Sequence, residues 1–299
     1  MPIAFVFGMI PLHHTSLQRE NSGDMRPPVL IVLHGELSTP GRVAIQLRNR
    51  DIPLDVRRPR FGDELPKTLE NHTGAVIFGG PQSANDDDEV VKREIDWLAV
   101  PLKEKKPYLG ICLGAQMLAK HLGARVYKHP DGHAEVGYYP IRPTAEGRSV
   151  CKDWPDHVYQ WHREGFDLPD QAVMLAEGDS FPVQAFSYGG TAYALQFHMD
   201  VTHATMCRWT TRGHERMTLP NAKPRETHFE GRLMHDPACR AWLSEFIDHW
   251  LKPPTAAQTA SIKKNAAAKP APPKISPPKP ARANGGGGQR RVVSRISTR

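Results

Sequence analysis

The chain has 299 residues, of which 39% are hydrophobic and 24% charged, a composition that supports one sizeable folded core. Its formal net charge of +7 is unevenly spread, because residues 252–299 hold 11 Lys and Arg but no Asp or Glu, which leaves residues 1–251 with 28 basic and 32 acidic side chains. That mildly acidic balance disfavours a nucleic-acid-binding core, and no apolar run approaches the ~18 residues that span a membrane.

The first 28 residues have neither a strand nor a helix pattern. They combine an apolar start with polar sequence that contains Pro and Gly, but they lack the charged leading region and the small-residue cleavage site of a signal peptide. We interpret residues 1–28 as a leader that is disordered or that precedes a native start at Met25. The folded domain is predicted to cover residues 29–251.

From Val29 onward, short apolar runs alternate with helical patterns. In chain order they predict a strand at 29–33, a helix opened by Ser38-Thr39-Pro40 and running through Leu47, strands at 53–56 and 74–78, a helix at 90–102 and a strand at 108–111. This alternation predicts an α/β fold, in which a mixed, mostly parallel sheet carries helices on both faces. Ligands then bind at the carboxyl ends of the strands.

The stretch from Lys106 to Gly123 places a cysteine between a predicted strand and a predicted helix. Gly110 and Gly114 flank Cys112 at two residues on each side, the spacing of a nucleophile elbow, in which a sharp strand-to-helix turn exposes the nucleophile. Free amides and the positive end of the helix dipole favour the thiolate there, so we interpret Cys112 as a nucleophile. The other cysteines lack flanking glycines and are interpreted as buried apolar groups: Cys151, Cys207 and Cys239.

The predicted strand at 74–78 runs directly into Gly79-Gly80-Pro81-Gln82-Ser83. Two glycines there allow backbone amides to approach a ligand that a side chain would block, although a plain tight turn explains the same residues equally well. In a doubly wound sheet this loop lies beside the cysteine turn. Its amides, together with that of Leu113, are therefore candidates for an oxyanion hole.

After Gly123 the pattern changes to short strand-like segments, which predict a mainly antiparallel half that completes one mixed sheet domain. The segments are 124–127, 136–141, 157–161, 173–176, 183–186 and 191–197. The last of these strands, at 191–197, leads into His198, Met199 and Asp200. Residues two apart on a strand share a face, so His198 and Asp200 can point the same way and touch. A cysteine nucleophile needs a base that protonates the leaving amine and a carboxylate that fixes the tautomer of that base. We predict His198 and Asp200 for these roles.

Helices are predicted at 201–216 and 236–251, joined by a polar connection at 219–232 that holds Pro220, Pro224 and Gly231. Residues 252–299 are rich in Pro, Ala, Lys and Gly, a composition that cannot bury a core and predicts a disordered basic tail. The tail is interpreted either as a solvated extension or as an electrostatic arm for an acidic partner such as RNA or DNA.

Three ordered motifs resemble the signatures of class I glutamine amidotransferases, and most closely the glutaminase part of GMP synthases. They are Gly110-Ile-Cys-Leu-Gly-Ala-Gln116, the loop that starts at Gly79, and Gln196-Phe-His-Met-Asp-Val-Thr202. The resemblance covers residues 29–216 and implies a flavodoxin-like amidotransferase fold. It implies these roles: Cys112 as nucleophile, His198 as base, the amides of Gly79, Gly80 and Leu113 as oxyanion hole, and Gln116, Trp161 and His162 as substrate contacts.

The chain departs from that family's pattern in two places. Met199-Asp200 stands where the family has Pro-Glu, and because Asp is one methylene shorter, its carboxylate must approach His198 through a backbone shift. Reduced activity is one consequence, although a weak carboxylate contact need not abolish turnover. The second departure is that the Ser-Gly-Gly-x-Asp-Ser phosphate loop, which complete GMP synthases carry downstream, does not occur in the sequence.

The resemblance implies a free-standing enzyme that cleaves the γ-amide of glutamine through a thioester and supplies ammonia to a separate ATP-dependent synthetase. Two alternatives stay open: a hydrolase of γ-glutamyl amines, and a catalytically weak binding module of the same fold. No cofactor, membrane or metal partner is predicted, because the scattered histidines lack ligand spacing, and nucleic acid is expected only through the tail. Cysteines without paired spacing predict reduced thiols and a cytoplasmic protein.

Overall fold

The computed structural model of this protein describes residues 26–252. The predicted tail, apart from Lys252, and the predicted leader, apart from residues 26–28, lie outside the described residues, as do His13 and His14.

The described part of the chain forms strands and helices that alternate in its first half, as the sequence predicts. The strands are β1 (Val29–Val32), β2 (Leu54–Arg57), β3 (Gly74–Ile77), β4 (Tyr108–Ile111), β5 (Val126–Lys128), β6 (Glu135–Pro140), β7 (Arg142–Pro143), β8 (His157–His162), β9 (Glu164–Phe166), β10 (Val173–Glu177), β11 (Val183–Tyr188) and β12 (Ala192–Leu195). The helices are α1 (Gly41–Arg48), α2 (Glu89–Trp97), α3 (Ala99–Glu104), α4 (Leu113–His121), α5 (Ala145–Val150), α6 (His203–Arg212) and α7 (Arg225–Trp250), with 3-10 turns at Pro59–Phe61 and His214–Thr218.

The central element is an eight-stranded sheet in the order β2-β1-β3-β4-β12-β11-β10-β7. Its first five strands are parallel, and the last three join them in antiparallel fashion. The predicted fold class, a mixed and mostly parallel sheet with helices on both faces, is therefore confirmed. Strands β1, β3, β4 and β12 are buried along their whole length, which explains why they appear in the sequence as continuous apolar runs.

Two apolar cores cover the faces of this sheet. On one face α1 and α7 contribute Val43, Leu47, Trp242 and Phe246. On the other face α2 and α4 contribute Val91, Met117 and Leu118. The packing leaves the carboxyl edge of the parallel strands for the loops that follow them.

The register of the central strands brings three loops to one point of that edge. β3 and β4 pair Ile77 with Gly110, and β4 and β12 pair Ile111 with Leu195. Continued past the strand ends, these registers put the loop after β3 and the segment after β12 on opposite sides of the residue that follows β4.

In the second half of the chain, which is predicted to be mainly antiparallel, not every strand joins the central sheet. β5 pairs only with β9 and β6 only with β8, as two separate two-stranded sheets, and β12 runs parallel to β4. The sequence indicated strands in this half of the chain, but its periodicity does not specify which strands pair with each other. The prediction also omitted β7, α5 and β9.

Two helix boundaries differ from their predictions because of proline and glycine. The predicted helix at 90–102 is two helices that break at Leu98, since Pro101 has no N–H to continue the ladder. The predicted connection at 219–232 is partly helical, because α7 starts directly after Pro224. Gly231 is needed inside α7, where a Cβ would come within 2.5 Å of the Tyr138 ring.

No helix within residues 26–252 is long and apolar enough to cross a membrane.

Candidate active site

Cys112 occupies a sharp turn between β4 and α4. Its backbone has φ 52° and ψ −103°, a conformation that costs a residue with a side chain about 1–3 kcal/mol and persists only where the surroundings impose it. The flanking glycines make the turn possible: a Cβ on Gly110 would come within 2.5 Å of the Gly114 carbonyl group, and one on Gly114 would overlap the Ile77 carbonyl oxygen. The elbow geometry expected from the glycine spacing is therefore present.

His198 and the glycine loop lie on either side of this turn. A Cβ on Gly79 would approach Cε1 of His198 to 2.8 Å and Cβ of Cys112 to 3.4 Å. Only a residue without a side chain fits between the imidazole and the cysteine. Three segments that are far apart in sequence thus meet at one point.

Asp200 lies beside His198, at the end away from Cys112. The distance from Nδ1 of His198 to Oδ1 of Asp200 is 3.0 Å, and both side chains are buried. The shorter acid therefore reaches the imidazole. The edge of Trp209 packs against the same ring at a centroid distance of 4.8 Å, which fixes the plane of the imidazole.

The start of α1 holds the backbone that carries this carboxylate. The Arg42 amide donates a hydrogen bond of 2.9 Å to the carbonyl oxygen of Asp200. Gly41, with φ 48°, passes so close to that carbonyl that a Cβ would overlap it. The sequence did not indicate this contact, since residue 41 is 159 positions from Asp200 along the chain.

The environment of His198 strongly favours its protonated form. Burial opposes a charged ring, but the Asp200 carboxylate and the Cys112 sulfur outweigh it and raise the pKa of His198 to about 10. At neutral pH the ring is therefore an imidazolium, which can donate one proton to Asp200 and another towards Cys112.

A small, partly open cleft lies over the Cys112 turn. It brings together most of the predicted site residues, whereas His198, Asp200 and Gly79 are not among the residues that line it. The residues that line the cleft are Gly80, Pro81, Gln82, Cys112, Leu113, Gln116, Trp161, His162, Arg163, Glu164 and Arg216.

Gln116 and His162 are both tied to β9 by hydrogen bonds. Nε2 of Gln116 donates to the Glu164 carbonyl oxygen at 2.9 Å, and Nδ1 of His162 lies 2.9 Å from the same oxygen. Nε2 of His162 lies 3.0 Å from the buried carboxylate of Glu135. Gln116 and His162, two of the predicted substrate contacts, therefore also form part of the cleft wall, with Trp161 beside them.

Sequence reasoning missed three charged residues of the cleft. Arg163 and Glu164 directly follow the predicted pair Trp161-His162, so the sequence could have indicated them as site residues. Nothing in the sequence indicated Arg216, which lies in the turn after α6. Arg163, Glu164 and Arg216 line the cleft, and no ion pair involves any of them within residues 26–252.

The remaining cysteines lie away from the cleft. Burial raises the pKa of the Cys151 thiol and that of the Cys239 thiol to about 12, so both stay protonated at neutral pH. Cys207 is half-buried on α6, with its sulfur 3.6 Å from Nε2 of His203.

A cluster of His129, Asp131 and His133 has potential metal-ligand atoms within 4.8 Å of one another. We assign no metal to it, because the two imidazole rings are stacked with their planes 10° apart. Lone pairs lie in the ring planes, so those of parallel stacked rings do not converge on one ion. In addition, the Asp131 amide donates to Nδ1 of His129.

Comparison with known proteins gives consistent matches. The family model described as glutamine amidotransferase class-I matches residues 38–210. The glutamine amidotransferase-like protein YfeJ of Salmonella typhimurium is 31% identical over 183 residues, which cover 58% of this chain and 76% of that protein. A GMP synthase of Aeropyrum pernix is 33% identical over 165 residues, 54% of this chain but only 30% of that enzyme.

A solved structure extends the similarity to the fold. The crystal structure of a glutamine amidotransferase from Thermotoga maritima superposes with a TM-score of 0.69 at 29% identity, and the match covers 76% of this chain and 99% of that one.

Proposed function

Since this chain belongs to the class I glutamine amidotransferase family, we propose that it hydrolyses the γ-amide of glutamine to glutamate and ammonia through a thioester on Cys112. The observation that carries the proposal is the meeting of Cys112, His198 and Gly79, with the cysteine opening into a cleft. The catalytic unit is proposed to be residues 29–251, with the leader and the tail outside it.

The proposed reaction starts from a thiolate on Cys112 and an imidazolium on His198. The thiolate attacks the γ-carbonyl carbon, and the carbonyl oxygen takes the negative charge of a tetrahedral intermediate. Amides of the glycine loop, at Gly79 and Gly80, and of Leu113 at the start of α4 stabilise that charge.

His198 then gives its proton to the nitrogen of the leaving group as the carbon–nitrogen bond breaks, which releases ammonia and leaves a thioester. The imidazole, now neutral, takes a proton from water as the water oxygen attacks the thioester. Collapse of the second tetrahedral intermediate releases glutamate and restores the thiolate and the imidazolium. Asp200 keeps Nδ1 protonated throughout, so that Nε2 faces the reacting atoms.

The charges of the cleft support a substrate with an intact amino-acid head group. Arg163 and Arg216 are proposed to bind the α-carboxylate, and Glu164 the α-ammonium. Trp161 and Gln116 form the wall along which the side chain of the substrate lies.

The ammonia is proposed to pass to a separate ATP-dependent synthetase. The GMP synthases that this chain resembles hydrolyse glutamine according to their names, and the chain spans about 30% of their length. The free cysteines support a cytoplasmic setting for this reaction. Co-purification of a synthetase that raises the rate of glutamine hydrolysis is the measurement that checks this partner.

The proposed function is tested by glutamate release from glutamine by the purified protein. Cys112→Ser should abolish release, because a hydroxyl is a much weaker nucleophile at neutral pH, whereas Cys207→Ser, a half-buried thiol away from the cleft, should leave it unchanged. Mass spectrometry of a reaction quenched in acid should show a glutamyl adduct on Cys112. If the protein is stable and well folded but shows neither turnover nor an adduct, the result favours the alternative of a binding module.

The same assay separates the two enzymatic alternatives. A hydrolase of γ-glutamyl amines should cleave γ-glutamylmethylamide with a kcat/KM above that for glutamine. A glutaminase that supplies ammonia should show the reverse order.

A further inference from the structure

A second buried imidazole–carboxylate pair lies on the opposite side of the glycine loop from His198. Nδ1 of His34, the residue after the apolar run of β1, lies 3.2 Å from the carbonyl oxygen of Gly79. Nε2 of the same ring lies 2.7 Å from Oε2 of Glu94, on α2. The side chains of His34 and Glu94 are each only 1% exposed.

Hydrogen-bond chemistry determines which ring nitrogen carries a proton. A carbonyl oxygen can only accept, so Nδ1 of His34 must donate to Gly79. Nδ1 keeps its proton with either form of Glu94: an ionised Glu94 accepts from Nε2 of an imidazolium, and a protonated Glu94 donates to Nε2 of the neutral ring. Its other oxygen, Oε1, has no hydrogen-bond partner among the described residues, so the directional contacts of this carboxyl group are all with His34.

The bond to Gly79 determines the direction of the next amide. In a planar trans peptide the carbonyl oxygen and the following N–H point in opposite directions. Holding the Gly79 oxygen towards His34 therefore turns the N–H of Gly80 away from His34. Gly80 itself lies against the imidazole, since a Cβ there would come within 2.8 Å of Cβ of His34, and its other side lines the cleft.

We infer that His34 and Glu94 are positioning residues that keep the Gly79–Gly80 peptide in the orientation in which the Gly80 amide faces the reacting carbonyl oxygen. This inference rests on the proposed function, because it assigns that amide to the oxyanion hole. Without the hydrogen bond, a peptide between two glycines has little steric resistance to rotation. The pair therefore acts on the transition state through the loop and has no contact with substrate.

Two double variants separate the effect of the hydrogen-bond donor at residue 34 from the effect of side-chain packing. His34→Leu with Glu94→Leu removes both polar groups, so that no buried charge is left alone. His34→Asn with Glu94→Leu keeps an N–H close to the position of Nδ1 and differs from the first variant in that donor. His72→Leu is the control, because His72 forms a partly buried imidazole–carboxylate pair with Asp55 and makes no hydrogen bond to the glycine loop.

The first double variant should lose about 10- to 100-fold in kcat, less than the ~100- to 1,000-fold found on removal of one oxyanion-hole donor because the amide is displaced and not removed, with KM nearly unchanged. The Asn variant should recover most of that loss, and the His72 control should retain full activity. The rate at which iodoacetamide alkylates Cys112 should stay constant in all three, because alkylation by a thiolate forms no oxyanion.

Unchanged kcat in the Leu double variant, or no recovery with Asn, overturns the inference. A parallel fall in alkylation rate and melting temperature does so as well, because it indicates a merely structural role. If the unaltered protein does not hydrolyse glutamine, the proposed function fails separately. Crystal structures of the two double variants then decide, because the Gly79 carbonyl should rotate in the Leu variant and keep its orientation in the Asn variant.

Discussion

Replacing Asp200 by Asn tests whether its carboxylate keeps His198 charged. Burial alone would lower the pKa of the imidazole, and the carboxylate at 3.0 Å, with the Cys112 sulfur, raises it from 6.5 to about 10. A rise of about 3.5 corresponds to about 5 kcal/mol in favour of the imidazolium, at roughly 1.4 kcal/mol for each pKa unit. Asp200 makes the largest of the raising contributions, so its loss should return the pKa of His198 to 6.5 or below.

The measurement is kcat/KM for glutamine hydrolysis between pH 6 and pH 10.5. The first step needs an imidazolium, so the unaltered protein should stay active up to the pKa near 10 and lose activity above it. In Asp200→Asn the alkaline limb should move to about pH 6.5, and the rate at pH 8 should fall by about 10²- to 10⁴-fold, as in other triads whose carboxylate becomes an amide.

Stability should follow the same titration. Because the pKa of His198 is raised in the folded state, its contribution is fully present below pH 6.5 and is lost as the pH rises through about 10. Urea denaturation of the unaltered protein should therefore show a free energy of unfolding that falls across this window. The fall should be much smaller in Asp200→Asn.

Asp55→Asn is the control, since Asp55 pairs with His72 away from the cleft and should leave the pH profile unchanged. Asp200→Glu keeps the charge and should keep the alkaline limb near its original position. An alkaline limb that stays near pH 10 in folded Asp200→Asn would show that the carboxylate does not control the charge of His198.

Three further predictions concern the turn, the loop and the cleft. Gly79→Ala should lower kcat by about 100-fold without unfolding the protein, because the added Cβ would push the His198 ring, at 2.8 Å, out of position; steady-state kinetics with circular dichroism checks this. Cys112→Gly should be more stable than Cys112→Ala by about 1 kcal/mol in urea denaturation, because glycine accepts φ 52° without strain, and equal stabilities would contradict the strained elbow. Arg216→Met should raise KM for glutamine about tenfold and leave kcat within twofold, as expected for a charged hydrogen bond to the α-carboxylate, whereas an unchanged KM would assign that carboxylate to another group.

The sequence predicts the parallel half of the sheet well because its signals are local. Buried strands appear as short apolar runs, and the turn at Cys112 is marked by glycines only two residues away on each side. His198 and Asp200 are also close in sequence and their side chains meet, but not on a strand as predicted: β12 ends at Leu195, and the pair lies in the irregular segment that follows it.

The features that the sequence did not predict depend on contacts between distant segments. β6 and β8 form their own ribbon because its apolar side packs against α6 and α7 through residues such as Met206 and Phe229, and no periodicity encodes that choice. The start of α7 was not predicted, because Pro224 and Gly231 were interpreted as residues that break a helix. Pro224 precedes the helix, and Gly231 serves the close approach of Tyr138.

Gly79 links the proposed base to the amides that are proposed to bind the oxyanion. Its Cα faces Cε1 of His198 and its carbonyl oxygen accepts from His34, so the same residue limits the imidazole on one side and is held by an imidazole on the other. Any movement of the loop that carries the Gly80 amide must therefore change the space left for His198. Substitutions at His34 should therefore affect His198 only if the loop moves towards it: the pH profile of the His34 variants should shift if the loop relaxes towards His198 and stay fixed if it relaxes towards residue 34. The second outcome is expected, because removal of the imidazole at residue 34 opens space only on that side.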